Sequence, residues 1–324
     1  MREILFLEPV FKSMLWGGER LHTEYGYDLP DAHTGECWAI SAHKSGDCRI
    51  KSGSLKGKSL SSLWENHREL FGGMPGDTFP LLVKIIDAKE DLSIQVHPDD
   101  TYAGEQEQGA LGKTECWYIL DCPEDGTLVI GHNARNREEL ERMITENRWE
   151  ELIRRRPIQR GDFFQIEPGT VHAIKAGTML LETQQSSDIT YRLYDYGRLE
   201  HGKPRQLHIA RSIEVIRCPH EDTPISGKVT DYGDCRVEEL IRSRYYTINK
   251  LSLKGRHEFL QDQRFRNVSV VDGKGLIDGI PVKKGDHFIL PADYGTYLLE
   301  GELELIESYV PQESNETALR EAFA

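Results

Sequence analysis

Two histidines, a carboxylate and an amide stand out in this 324-residue chain, because their types and spacing would let them hold a metal ion. In "SIQVHPDD", Ser93–Asp100, Gln95 and His97 lie two apart in a strand-like run. Their side chains therefore share a face, with Val96 on the other. Glu115 opens a second such run in "GKTECWY", and His172 follows a Pro-Gly turn in "EPGTVHAI". Two imidazoles, a carboxylate and an amide oxygen are donors that suit Zn²⁺ and leave room for water or substrate. Singly, each has a plainer reading, since a lone strand histidine is more often packed or at the surface than ligating. The case rests on the four together.

The elements that must position these residues are mostly strands. "ECWAISA", "LLVKIIDA", "LSIQVH", "ECWYIL", "TLVIGH", "DFFQIE" and "TMLLETQQ" are short apolar runs punctuated by Gly, Pro and Asp. Helical patterns are fewer. "SLSSLWENHRELFG" opens at a Ser cap and stops at Gly72. Residues 136–156 read as two short helices, with capping-box spacing at Asn136/Glu139 and Asn147/Glu150. "RQLHIARSIEVI" is a third, ended by Cys218 and Pro219. Beyond about residue 220 only strands follow, as in an antiparallel sandwich or barrel of jelly-roll type. "RGDFFQIEPGTVHAIKAG" (160–177) is weakly echoed by "KGDHFILPADYGTYLLEG" (284–301), which lacks the histidine after its proline. Two related β-domains, one with a metal ligand and one without, would explain the echo; so would chance.

Composition narrows the function classes. Net charge is −14, and no Lys/Arg run is interleaved with aromatics, which argues against nucleic acid and anionic membrane as partners. An anionic substrate must be held by local cations. The six cysteines form no C-x-x-C pair, "ILFLEPVF" is too short and polar for a secretory signal, and no apolar run reaches membrane-spanning length. Reduced thiols in a cytoplasm are expected.

Four segments, "QVHPDD", "GKTECWY", "EPGTVHAI" and "QQSSDITYRLYDYGR", in this order, resemble the type I mannose-6-phosphate isomerases, in particular the short bacterial form. "FKSMLWGGERL", "GECWAISAH" and "FPLLVKIIDA" fit the same family, so the resemblance covers essentially the whole chain. It implies a mainly β fold: two cupin/jelly-roll β-barrel domains with a few short helices. The expected division is a catalytic cupin with helical segments over 1–220, a metal-free cupin-like domain over 221–312, and a tail over 313–324. It implies one Zn²⁺ per chain on Gln95, His97, Glu115 and His172. The family's active-site arginine matches Arg192, with Asp188 four residues before it. Lys113, two before Glu115, and Lys84 in "LLVKIIDA" match site lysines. One departure is that Gly169 follows Pro168 directly, where the cupin turn usually reads Pro-x-Gly-x-x-His; the helical insertion of larger members is also absent.

The implied reaction interconverts mannose 6-phosphate and fructose 6-phosphate by moving a carbonyl between C1 and C2 through a cis-enediol. Zn²⁺ is a Lewis acid with no redox chemistry, which suits stabilisation of an enediolate. The phosphate needs a cationic seat, to which Lys84, Lys113 and Arg192 can contribute. Arg192 has two further readings: beside the reacting carbons, or in a structural ion pair with Asp188 or Asp195. For the acid/base, Asp188 and a water on the metal are both open. Trp16, before Gly17-Gly18, is a candidate wall of the sugar site, although a Trp in a β-rich protein is more often core. Tyr191 and Tyr194 are expected on the face opposite Arg192, and Trp117 on that of Glu115.

Two competing readings remain. Two His and one carboxylate in a cupin also describe a non-haem Fe(II) dioxygenase, which metal identity and oxygen uptake would separate. Cupins also serve as sugar-binding modules, which would bind the sugar phosphate without turnover.

Overall fold

The computed structural model describes residues 3–225 and 227–312. The expected tail, 313–324, lies outside the described residues. The chain forms two compact units. One holds the segment up to Val10, Trp38–Lys84 and the chain from Ile225 onward; the other holds Phe11–Cys37 and Ile85–Pro224. This differs from a division by chain order alone. The physical reason is long-range pairing: the strand Leu5–Glu8 aligns Leu5 with Ile289 and Leu7 with Ile50, drawing the N-terminal segments onto the C-terminal sheet.

Both units are β-rich, and their strands order in open jelly-roll sheets rather than closed barrels. The first unit is built on a nine-stranded antiparallel sheet. Its long strands Thr247–Gln261, Arg266–Ile277 and Gly295–Tyr309 cross at a row of three glycines, Gly255–Gly301–Gly275. A Cβ on Gly275 would stand 2.1 Å from the Glu300 carbonyl oxygen, and Gly301 has φ +120. Glycine is therefore required where these strands bend.

The second unit holds a five-stranded sheet and most of a six-stranded one. The five run Ile153–Pro157, Thr127–His132, His172–Ala173, Ile94–Val96 and Tyr191–Tyr194. The six run Phe163–Ile166, Glu115–Asp121, Met179–Gln185, Leu81–Asp87, Thr34–Ile40 and Val10–Gly18. Glu115–Leu120 and Met179–Gln185 are buried on both faces, as continuous apolar runs require.

The helices are short. Ser59 caps Leu60–Asn66 through Ser62 N–H, and a 3₁₀ turn, Arg68–Phe71, ends at Gly72 in the left-handed region. Asn136 caps Arg137–Thr145 and turns Leu140, Met143 and Ile144 inward. The second helix expected from Asn147 is one turn, Trp149–Leu152, followed by a strand. Asn147 has φ +55 and closes the preceding helix instead of opening a new one. Ile209–Val215 is the expected third helix. Asp100–Gln106, capped by Asp99, has no counterpart in the sequence reading. Among the described residues, no helix is long and apolar enough to cross a membrane.

Candidate metal centre

Three neighbouring strands lay the first wall of the site. His172 is paired with Gln95, and Gln95 with Arg192, so the three side chains form a row on one face of the five-stranded sheet. His97 is two residues past Gln95 on that face, and Pro98 follows it outside the strand. The Gly169 N–H donates to the His97 carbonyl at 2.9 Å. Gly169 has φ +83, and a Cβ there would be 2.7 Å from the Val215 carbonyl oxygen, so the direct Pro-Gly turn leaves no room for another residue. The second wall comes from the six-stranded sheet, where Glu115 lies opposite Ile166 and Gln184.

The walls bring His97, Glu115 and His172 together, each buried, with one donor atom from each within 4.8 Å of the others. The imidazole orientation is set by the backbone. His97 Nδ1–H donates to the Ile189 carbonyl at 2.8 Å, and His172 Nδ1–H to the Thr170 carbonyl at 2.8 Å. A carbonyl can only accept, so Nδ1 carries the proton in each ring and Nε2 is turned inward. Those two Nε2 atoms are 3.1 Å apart and stand 3.5 Å and 3.4 Å from the Glu115 carboxylate. Burial pushes the His172 pKa down to about 4, with its bond to Thr170 opposing and Lys113 adding to the fall. Two inward Nε2 atoms and a carboxylate converging at this distance are a donor set for a cation, with the Lys113 ammonium beside them. The donor set thus fits a divalent metal. The Gln95 amide nitrogen lies 3.3 Å from His172 Nε2.

Lys113 is buried beside the set, its Nζ 2.5 Å from Glu115 and 3.1 Å from His97 Nε2. The sequence reading missed Glu182. It is buried, 4.0 Å from Lys113 Nζ, and accepts a hydrogen bond from Trp117 Nε1 at 3.1 Å. Its signal was a carboxylate inside the apolar run "TMLLETQQ". Trp117 shares the face of Glu115, as expected, and meets the His172 ring edge-on at 5.4 Å.

Arg192 Nη1 donates to the Gln206 carbonyl at 3.0 Å, while its buried Nε has no hydrogen-bond partner. The ion pair weighed for it with Asp195 is not formed. Asp195 is held by Arg198 at 2.5 Å and Arg205 at 2.6 Å, cations that the sequence reading also missed. Burial, then Arg205, disfavours the charge on Arg192. A register shift between Arg192 and Tyr194 turns Tyr194 away to stack on Trp149 at 4.8 Å, and Tyr191 packs with the same core. Both tyrosines are thus opposite Arg192, which strict alternation would not give for Tyr194.

Three candidates are not among these donors. Asp188 is exposed on loop 186–190, next to the Ile189 that orients His97. Lys84 is 6 % exposed on Leu81–Asp87 in the first unit, its Nζ 5.2 Å from the centre of the Trp38 ring. Trp16, expected as a wall of the sugar site, is 3 % exposed and packs with Ile86, Trp117 and Leu180. Its ring is buried in that apolar cluster.

Comparison with known proteins agrees along the chain. The family model for the phosphomannose isomerase type I catalytic domain matches residues 4–120, and that for the mannose-6-phosphate isomerase cupin domain matches residues 237–310. The mannose-6-phosphate isomerase ManA of Bacillus subtilis (strain 168) is 48% identical over 313 residues, covering 95% of this chain and 99% of the relative. The mannose-6-phosphate isomerase of Streptococcus mutans is 43% identical, covering 95% of this chain and 99% of the relative. The crystal structure of the Bacillus subtilis enzyme matches with a TM-score of 0.93 at 48% identity, covering 95% of this chain and 99% of that one.

Proposed function

Because the chain belongs to the type I mannose-6-phosphate isomerase family and is an isomerase of mannose 6-phosphate, we propose that it works with one zinc ion per chain, held by Gln95, His97, Glu115 and His172. The observation that carries this is the inward pair of Nε2 atoms against the Glu115 carboxylate, each ring locked by its Nδ1–H. Bound there, zinc supplies Lewis acidity toward the oxygens on C1 and C2 of the sugar.

The chain's own residues do the rest. A proton leaves C2 of the aldose and returns at C1, and the carbonyl moves from C1 to C2 through a cis-enediol. Negative charge builds on the two oxygens during that transfer. The buried Lys113 ammonium lies within the cluster and steadies it. Arg192, one strand beyond Gln95 in the row, keeps Nε for an anionic group of the substrate. Neighbouring strands are about 4.8 Å apart, so the Arg192 backbone stands about 10 Å from that of His172, which suits the phosphate end of a hexose phosphate. Lys84 is retained as a proposed contributor to phosphate binding.

The proton carrier is proposed to be a carboxylate. Asp188 is the one read from the sequence. Glu182 is favoured by its burial beside Lys113. Asp188→Asn and Glu182→Gln decide between them: loss of the carrier removes turnover with metal content unchanged. Six unbridged cysteines fit an enzyme of the cytoplasm.

The test is a coupled assay for conversion of mannose 6-phosphate to fructose 6-phosphate on native, chelated and zinc-restored protein. Turnover should vanish on chelation and return with zinc. Full turnover after complete metal removal would overturn the zinc reading.

A further inference from the structure

The first unit has a cavity of about 1180 Å³ that the isomerase chemistry does not use. Small-molecule sites commonly span about 300–1,000 Å³, so the space is ample for one. Its floor is apolar, formed by Ile4, Phe6, Leu276, Val282 and the Tyr294 ring. The Tyr294 hydroxyl is turned to Asp278 at 2.8 Å, leaving the ring face to the cavity. Gly275 and Gly301, paired across two strands, give one wall no side chains at all.

The rim carries an unusual pair. Lys274 and Lys283 are directly opposite one another on adjacent strands, and both line the cavity. Directly opposed residues hold their Cβ atoms about 4.5–5.5 Å apart, where like charges destabilise a sheet. The nearby acids are already engaged. Glu3 accepts from Ser54 N–H and Oγ–H at 2.7 and 2.6 Å. Asp286 accepts from the Lys283 N–H at 2.9 Å and faces Lys51 at 3.8 Å. Glu300 faces Arg256 at 3.8 Å. Glu302, the other cross-strand neighbour of Lys274, is paired with Lys254 at 3.2 Å. Two opposed ammoniums beside a largely apolar cavity, on a chain of net charge −14, call for a negative group between them.

We propose that this cavity binds a small amphipathic anion: an apolar body resting on the floor, with a single carboxylate-like head between Lys274 and Lys283. The head relieves the lysine–lysine repulsion, and the body covers surface that water solvates poorly. No residue of the cavity belongs to the metal centre, so binding and isomerisation are separable by mutation.

Calorimetric titration of the full-length, zinc-loaded enzyme with decanoate tests this, with decan-1-ol as the uncharged probe. The expected result is one saturable decanoate site per chain, with decanol at least about tenfold weaker, the loss of roughly one charge-assisted contact. Lys274→Met/Lys283→Met should bring decanoate down to the level of decanol. Leu276→Asp should abolish both. Each variant should keep wild-type isomerase turnover, which also certifies its fold. Because Lys274 and Lys283 are exposed, the double lysine variant carries the test even if Leu276→Asp fails to fold. Absence of saturable decanoate binding, equal binding of decanol, or unchanged decanoate binding in the double lysine variant would overturn the proposal.

Discussion

The two units answer the same problem, a polar group inside a jelly roll, in opposite ways. Their frames correspond hydrogen bond for hydrogen bond. Gly161 and Gly285 both have φ +91. Gly161 N–H donates to the Ile119 carbonyl and Gly285 N–H to the Val270 carbonyl, while the Ile119 and Val270 N–H groups donate to the carbonyls of Asp162 and Asp286. Asp162 caps Gln159 N–H as Asp286 caps Lys283 N–H. The strands that follow pair in equivalent register, Ile166 with Glu115 in one unit and Leu290 with Arg266 in the other. One strand further, Glu182 lies opposite Trp117 and Glu307 opposite Val268, again in equivalent positions. Where the metal centre has a carboxylate, the other unit has a guanidinium.

Charge balance separates them. In the metal centre two carboxylates, Glu115 and Glu182, face one ammonium and two inward Nε2 atoms. In the other unit Arg266 meets Glu307 at 2.5 Å, Tyr297 donates to Glu307 at 3.3 Å, and Gln261 accepts from Arg266 Nε at 3.2 Å. That set closes on itself. A buried polar cluster is a binding site when its own charges and donors leave something over, and part of the scaffold when they do not.

The largest expected effect breaks the first side of this contrast. His172→Ala should lose the metal and lower kcat/KM by about four orders of magnitude, roughly 5 kcal/mol, with the fold retained by circular dichroism. Metal analysis at unchanged stoichiometry would remove His172 from the ligand set. The next breaks the second side. Arg266→Met leaves Glu307 buried without its counter-charge and should cost about 3–5 kcal/mol in urea unfolding, with zinc content unaltered. Arg266→Met/Glu307→Leu should recover most of that loss. A single variant as stable as the parent would mean that the pair is not the closed unit described.

Some of this was legible in the sequence, for identifiable reasons. The convergence of His97, Glu115 and His172 was legible because such donors are rare inside strand-like runs. The echo between 160–177 and 284–301 was visible, but only the backbone hydrogen bonds distinguish it from chance. Glu182 was missed because its partner Lys113 is distant in sequence and no short spacing joins them. Asp100–Gln106 was missed because Ala103 is its only buried residue, so it has no apolar stripe to read. The extent of Trp16 burial was not legible beside its adjacent glycines, because it is settled by strands far along the chain. The pairing of Leu5 with Ile289 is likewise invisible locally.

Arg192 sharpens the contrast from within the metal centre. It belongs to the row of His172 and Gln95 but is not among the converging donors. Arg192→Ala should therefore keep zinc and lose about two orders of magnitude in kcat/KM, near 2.7 kcal/mol. If the variant lost zinc or unfolded, a structural role for the guanidinium would replace the substrate role.

The smallest effect concerns a histidine in the first unit. His287 occupies the position matched by Phe163 and is fully enclosed, with Nδ1 2.9 Å from Ser269 Oγ. Burial, with a smaller contribution from Lys51, pushes its pKa down to about 3. The ordinary value is about 6.5, so the unfolded chain takes up this proton first as pH falls. Stability owed to the neutral ring is complete above about pH 6.5 and is lost progressively toward pH 3. At pH 5 the unfolded state gains about 2 kcal/mol from that proton, and at pH 7.5 almost nothing. His287→Asn keeps a polar atom near Nδ1 and removes the titration. Between pH 7.5 and 5 the parent should lose about 2 kcal/mol more than the variant in chemical denaturation. Parallel decline of the two would show that this ring is not held neutral, and that the first unit accommodates a buried charge more readily than its Arg266–Glu307 pair implies.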